Sequence, residues 1–453
     1  MVAKFTVLPY TQNRENLRQF LHFERNETMK IKQKKKTYDQ VMAMPRFTHK
    51  HPMKPSLLLN KLIKLLTIPD MMINRFTCNR MGMERLPDDV PCLILMNHSC
   101  FYDLKCVYHA LGKRTFNIVT TYDGMVGLEG LMRRLGCIPT NKFTTDLMLI
   151  RDIKYAIEEN KSNVLMFPEA SYSFDGTATT LPDSLGRLIK LLKCPVVTVI
   201  TQGAFHRDPL YNGLQLRKVK VSADMKYLLS PEDIAELSAD DINAMLREEF
   251  SFDNFRWQQE NEVVIDEPFR ADGLHRVLYK CAHCGNEHTM EGKGTKLICH
   301  SCGKVYTLTE TGYLAADDGD TRFDHVPDWY TWEREEVRRE LTEGTYDLDI
   351  DVDISMLVNT KTLYNIGEGR LKHDENGFRL TGCEGKLDYK FPPQASYSLY
   401  ADYFWYEIGD VISIGDKDGL YYCFPKDKTI PVAKARLAAE ELYKMKSRRR
   451  ARK

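Results

Sequence analysis

The sequence has no long hydrophobic run, almost no net charge and few cysteines for its length. No stretch approaches 18 uncharged apolar residues, so no membrane-spanning helix is expected. Lysine plus arginine number 64 and aspartate plus glutamate 63, a formal charge of +1. That balance excludes a protein that coats nucleic acid with its whole surface, though not local basic patches. Twelve cysteines in 453 residues are too sparse for a disulfide scaffold, so most are expected to be reduced and intracellular. Residues 1–23 are polar and mixed and lack the apolar centre of a secretory signal. Repeats of fixed period and long low-complexity tracts are also missing. What is present is an ordinary hydrophobic content of 43%, enough for a sizeable core. At about 150 residues per domain, the length suggests three domains.

Four regions separate by composition. Residues 1–80 are basic and Met-rich, and read as a membrane-associating segment. Within them Leu58, Leu59, Leu62, Ile63, Leu65 and Leu66 recur at helical spacing, with Lys61 and Lys64 between. Such a helix is too short and charged to span a bilayer; it suits either a membrane interface or a core face. The preceding Lys30, Lys32, Lys34, Lys35 and Lys36 fit an anionic lipid surface, as a solvated face also would. From residue 81 to about 265, apolar runs alternate with helical patterns, which reads as α/β. The runs include residues 90–96, 116–121, 164–167 and 195–201, and a closing helix is expected over 239–262. Residues 272–312 hold four paired cysteines. Residues 325–453 read as short β-runs followed by a helix over 432–446 and a basic tail, Lys446, Arg448, Arg449, Arg450, Arg452 and Lys453.

The run 90–96 ends at Asn97 and His98, with Asp103 five residues past the histidine. On a regular helix these two would point well apart. They meet only if His98 lies in the turn after a strand and Asp103 in the first turn of the next helix. That junction is where α/β sheets place their sites. Asp103 would then fix the imidazole tautomer and leave the other ring nitrogen free to take a hydroxyl proton. A second run, 164–167, stops at Pro168 and leaves Glu169 at a strand end, followed by Ser171 and Ser173. A third strand begins at Pro195, after a helix containing Gly186.

In this order and spacing, the elements resemble the 1-acylglycerol-3-phosphate acyltransferases, a glycerolipid acyltransferase family. Asn97, His98 and Asp103 match its first block. Phe167, Pro168, Glu169, Ser171 and Ser173 match its third, and residues 195–197 its fourth. Gly136, Lys142 and Phe143 match its second loosely. The resemblance covers about residues 85–225. It implies a mixed sheet flanked by helices, with direct acyl transfer from acyl-CoA or acyl carrier protein to the sn-2 hydroxyl of 1-acylglycerol-3-phosphate, making phosphatidate. His98 and Asp103 would be catalytic. Asn97 would help hold the oxyanion, Glu169 and Ser171 would meet the acceptor, and Lys142 would meet its phosphate. Two departures stand out. The family's third block has Gly and Arg where this chain has Ala170 and Tyr172, and its second usually ends in Arg where this chain has Lys142. Lysine offers phosphate a point charge and tyrosine none, so another lysophospholipid or glycolipid hydroxyl, or a catalytically weak lipid-binding homologue, stays open. Cys100, beside the histidine, is expected to be a buried filler rather than a nucleophile.

Cys281 and Cys284, then Cys299 and Cys302, form two C-x-x-C knuckles, followed directly by Gly285 and Gly303. Four thiolates at this spacing predict a closed structural Zn2+ site, a zinc ribbon. His283, His288 and His300 are expected to be bystanders. Lys280, Lys293, Lys296 and Lys304 are offset by Glu287 and Glu291, which disfavours a nucleic-acid partner. In order only, the C-terminal strands and helix resemble a pleckstrin-homology-like domain. Trp329, Tyr330 and Trp332, and the run Tyr403, Phe404, Trp405 and Tyr406, are expected in cores or domain interfaces. The whole reads as a cytoplasmic enzyme, peripheral on the inner face of the cell membrane, with lysophosphatidate, an anionic lipid surface and a CoA or carrier-protein thioester as partners.

Overall fold

The computed structural model describes residues 31–142, 146–169, 171–416 and 418–451. The polar start at residues 1–23, Lys30, Phe143, Ala170, Arg452 and Lys453 lie outside these, as do the side chains of Arg448, Arg449 and Arg450.

The first described strand, β1 (Gln33–Lys35), is followed by helix α1 (Leu57–Ile73) and strand β2 (Thr77–Met81). Then β3 (Leu93–Met96), α2 (Tyr102–Ala110), β4 (Phe116–Thr121), β5 (Cys137–Thr140), α3 (Leu147–Glu158) and β6 (Asn163–Met166) alternate. Helix α4 (Leu185–Leu192), β7 (Val196–Gln202), β8 (Ser222–Leu229) and α5 (Ala239–Glu249) complete the unit. The seven strands form one mixed sheet in the order β2-β8-β7-β3-β6-β4-β5. Only β7 and β8 run antiparallel; the other five pairings are parallel.

Strand β3 lies mid-sheet and all four of its residues are buried. Leu93 and Leu95 pack into the core on one face, Ile94 and Met96 into the core on the other. That is why the run is continuously apolar rather than alternating. On the Leu93 and Leu95 face α4 crosses α5 so closely that a Cβ at Gly186 would lie 2.1 Å from the Ala239 carbonyl oxygen. The helix expected over 239–262 is divided: α5 ends at Glu249 and a separate turn of helix begins at Asn254, capped by the Asp253 side chain.

Residues 290–316 form the four-stranded antiparallel sheet β12-β11-β10-β9, from β9 (Met290–Lys293), β10 (Lys296–Cys299), β11 (Val305–Leu308) and β12 (Leu314–Ala316). Helix α6 (Val326–Glu343) follows, where the sequence had suggested short strands. Pro327 opens it, and Trp329, Tyr330, Glu333 and Val337 recur at helical spacing on its buried side. Its aromatic residues masked that period.

The C-terminal sheet contains β13 (Leu348–Leu357), β14 (Leu363–Asp374), β15 (Gly377–Gly382), β16 (Leu387–Phe391), β17 (Tyr400–Trp405), β18 (Gly409–Asp416) and β19 (Gly419–Pro425). Its order is β16-β15-β14-β13-β19-β18-β17, antiparallel throughout, and β1 joins it by pairing parallel with β14. Helix α7 (Val432–Ala451) packs beside it, with Val432, Ala433, Ala435, Leu437 and Ala438 buried. Glu440 and Glu441 are buried too, and pair with Arg334 and Arg338 of α6. One apolar core runs from Phe205 and Phe255 through Leu297 and Tyr306 to Trp329, Ile412 and Leu437. The three parts of the chain are therefore packed as one body.

Candidate active site

Because β3, β4, β5 and β6 run parallel, their C-terminal ends share one edge of the sheet. The residues just past those ends are His98, Asp123, Lys142 and Glu169. Open α/β sheets bind ligands in this crevice.

Asp103 lies in the first turn of α2 and is fully buried. Its Oδ2 accepts from the backbone N–H groups of Ser99 (2.6 Å) and Cys100 (3.0 Å), and its Oδ1 from the Thr201 hydroxyl (3.3 Å). A carboxylate here satisfies orphan amides at the helix start and is favoured by the helix dipole. His98 Nδ1 donates to the same Oδ2 at 3.3 Å, which leaves Nε2 for a substrate. The imidazole is sandwiched: Phe167 stacks on it with ring centroids 4.0 Å apart, and Tyr172 lies 4.1 Å away at a tilt. With the side chain 17% exposed, burial lowers the His98 pKa below the ordinary imidazole value, opposed by Asp103. The ring is thus held neutral and able to accept a proton near pH 7.

His98 opens on a cavity of about 1140 Å³. Leu104, Ile118, Met132, Ile150 and Leu188 give it a largely apolar wall, and the volume suits a long acyl chain. The opposite wall comes from the C-terminal sheet, including Tyr400, Asp402, Tyr403, Phe404 and Tyr406. This run was expected in a core or domain interface; Tyr403 and Trp405 are in the apolar cores with Phe404 and Tyr406 packed against them, and all four also line the cavity.

The other expected site residues fall in different places. Asn97 does not face the cavity wall freely: its Oδ1 accepts from the Thr201 amide (2.8 Å) and hydroxyl, and its Nδ2 donates to the Thr201 carbonyl (3.2 Å), clamping β3 to β7. Glu169 is 1% exposed; burial pushes its pKa well up, opposed first by Arg436 and then by hydrogen bonding from the His98 backbone and the Thr179 side chain. The Ser171 hydroxyl is buried and has no hydrogen-bond partner among the described residues. Lys142 holds its ammonium 4.0 Å over the Tyr400 ring. Burial lowers its pKa, while Asp123 and Asp402 pull it back up. Cys100 is a buried filler whose thiol donates to the Ala204 carbonyl (3.1 Å) and is pushed up by burial.

Several residues emerge only from the fold. Trp405 Nε1 donates to the Tyr400 hydroxyl (2.8 Å), which donates to Asp123 Oδ2 (2.8 Å), tying β17 to the end of β4. Arg436 of α7 donates to the Tyr172 carbonyl (3.1 Å) and lies 4.6 Å over Phe174. It therefore braces the loop that carries Glu169. Burial pushes the Asp402 carboxyl up to about 7, opposed by Lys142.

The four knuckle sulfurs all lie within 4.8 Å of one another. Cys281 and Cys302 Sγ are 3.8 Å apart, as are those of Cys284 and Cys299. Thiolates around a tetrahedral ion at about 2.3 Å would sit roughly 3.8 Å apart, so the set fits a four-coordinate metal. Gly285 and Gly303 take left-handed conformations and close each knuckle. His300 pairs instead with Glu291 and His288 with the Thr429 carbonyl.

Residues 78–202 match the family model described as Acyltransferase. Both His98 and Glu169 lie within the stretch that is similar to this acyltransferase model. No curated protein matches the chain. A solved structure, the 1-acyl-sn-glycerophosphate (LPA) acyltransferase PlsC from Thermotoga maritima, is 18% identical, over 42% of this chain and 76% of that chain, with a TM-score of 0.34.

Proposed function

We propose that this protein is an O-acyltransferase that moves a fatty-acyl group from a CoA or acyl-carrier-protein thioester to a lipid hydroxyl. The observation that carries this reading is the His98–Asp103 pair opening on a large apolar cavity within the acyltransferase domain. His98 Nε2 takes the proton of the acceptor hydroxyl as its oxygen bonds to the thioester carbonyl carbon. The tetrahedral intermediate then expels the thiolate, which recovers the proton from the imidazolium. Asp103 holds the ring in the tautomer this requires.

The family resemblance puts the acceptor as the sn-2 hydroxyl of 1-acylglycerol-3-phosphate. One observation favours the second acceptor class, another lysophospholipid or glycolipid hydroxyl: the Lys142 charge is already opposed by Asp123 and Asp402 and seated on Tyr400. The four cysteines are proposed to hold a structural Zn2+. No described helix is long and apolar enough to cross a membrane. Peripheral binding to an anionic bilayer, at the inner face of the cell membrane, is proposed through α1. Leu57, Leu58, Leu65, Met72 and Ile73 are all at least 63% exposed there, while Asn60, Ile63, Thr67 and Met71 face inward.

Labelled acyl-CoA incubated with a panel of lysolipids tests the reading. Product is expected with the native chain and not with His98→Ala; undiminished activity in that variant sinks it.

A further inference from the structure

The cavity's polar end is built by two distant parts of the chain. Asp123 and Lys142 come from the ends of β4 and β5, and Tyr400 and Asp402 from β17. The phenol of Tyr172, which lies on the His98 ring, is within electrostatic reach of both Asp103 and Asp402. This polar end is therefore next to the proposed base.

Its charges decide what it can hold. Four basic side chains line the cavity among the described residues. Lys32 and Arg187 are exposed, and Lys105 is ion-paired with Asp70. That leaves Lys142, which faces two carboxylates and one aromatic ring. A phosphate dianion placed between Asp123, Lys142 and Asp402 would meet one ammonium set against two carboxyl groups, which disfavours it at that end of the cavity. Carboxylates, one ammonium and tyrosine hydroxyls set among flat rings instead offer acceptors, donors and apolar faces together. That is the complement of a sugar or polyol, whose hydroxyls both donate and accept and whose ring carries C–H faces.

The wall is also built at a cost. Phe404, Tyr406 and Glu407 adopt φ of 49°, 44° and 60°, left-handed values that side chains rarely take. The β17–β18 register breaks between Asp402 and Trp405. Bulges and strained residues of this kind collect at binding sites, where the surroundings enforce them. Here the enforcement is visible: Asp410 accepts from the Phe404 amide (3.1 Å), and Arg276 pairs with Asp410 while lying 4.1 Å over the Phe404 ring.

We infer that the C-terminal sheet reads the acceptor, through Asp402 set against Lys142, and that the acceptor carries an uncharged, hydroxyl-rich head group rather than a phosphate. This rests on the acyl-transfer reading above and names its substrate class. Asp402 is a specificity-determining residue for that head group.

The full-length chain in detergent micelles is given labelled acyl-CoA and two acceptors of the same acyl chain, 1-acyl-3-glucosylglycerol and 1-acylglycerol-3-phosphate. The glucosyl lipid is expected to give the higher kcat/KM by at least about tenfold, the worth of one charged hydrogen bond. Asp402→Asn should erase most of that preference through the KM of the glucosyl acceptor. The KM for acyl-CoA and the circular dichroism spectrum should stay unchanged. Preference for the phosphate acceptor, or a preference that Asp402→Asn does not move, overturns the inference. A separate arm measures binding of the glucosyl lipid to His98→Ala protein by tryptophan fluorescence, with Trp405 in the cavity wall. Binding there that His98→Ala/Asp402→Asn loses supports the inference even if no acyl transfer occurs, a result that would sink the acyl-transfer reading alone. Absence of binding overturns the inference.

Discussion

His98 donates from Nδ1 to the same Asp103 oxygen that two backbone amides already hold. The carboxylate is therefore positioned by the backbone before it positions the imidazole. Asp103→Asn should lower kcat by about 10²–10⁴, the usual worth of a general base. It should also cost about 1 kcal/mol of stability, because a neutral amide oxygen accepts from Ser99 and Cys100 more weakly than a carboxylate does. Steady-state kinetics and denaturant unfolding on one preparation separate the two effects.

Burial lowers the His98 pKa and Asp103 raises it. The base works only when neutral, so kcat/KM should be flat around pH 7 and fall as pH drops through a value below 6.5. Removing the Asp103 charge should move this acid limb further down, not up. A limb above 6.5, or one that rises in Asp103→Asn, contradicts the electrostatics described.

Tyr172 stands against the imidazole face. Tyr172→Phe keeps the ring and should leave kcat within about threefold, whereas Tyr172→Ala frees the imidazole to rotate and should lose about tenfold or more. Equal losses in both would move the role from the ring to the hydroxyl.

Zinc analysis of freshly purified protein should find one ion per chain. Cys284→Ser or exhaustive chelation should lower the melting temperature strongly, since structural zinc contributes on the order of 10 kcal/mol in small ribbon-like sites. The loss should reach the cavity. Tyr306 of the small sheet packs edge-on against Trp329 of α6, and α6 pairs with α7, which carries Arg436.

Leu58 and Leu65 already face solvent at 77% and 63% exposure. Leu58→Asp with Leu65→Asp should leave the melting temperature unchanged. Binding to anionic vesicles should weaken by about 10²–10⁴, from roughly 3–6 kcal/mol of lost apolar transfer. Sedimentation with vesicles reads this directly.

The strand ends at His98 and Glu169 were legible because buried parallel strands are short, apolar and sharply stopped. The cysteine knuckles were legible because their spacing is local. Asp402 and Arg436 were not, since each reaches the site by contacts that close over more than 250 residues, and Asp123 has no motif of its own at the end of β4. Nothing near Asp402 in sequence distinguishes it from a turn residue. The bonds of Asn97 were hidden for a related reason: its neighbour in the motif faces the cavity, while its own amide bonds to Thr201 on the adjoining strand. Helix α6 was missed because its aromatic residues read as strand formers until packing put them on one face.

The parallel pairing of β1 with β14 sets Gln33 beside Leu363. A chain leaving the ribosome exposes β1 long before its partner strand exists. The same order holds for the cavity, whose far wall at Tyr400 to Tyr406 emerges about 300 residues after His98. A nascent or prematurely terminated chain would already hold the paired histidine and aspartate, yet would have nothing opposite them to exclude water from a thioester. Synthesis of the C-terminal sheet is thus what closes the cavity over that pair.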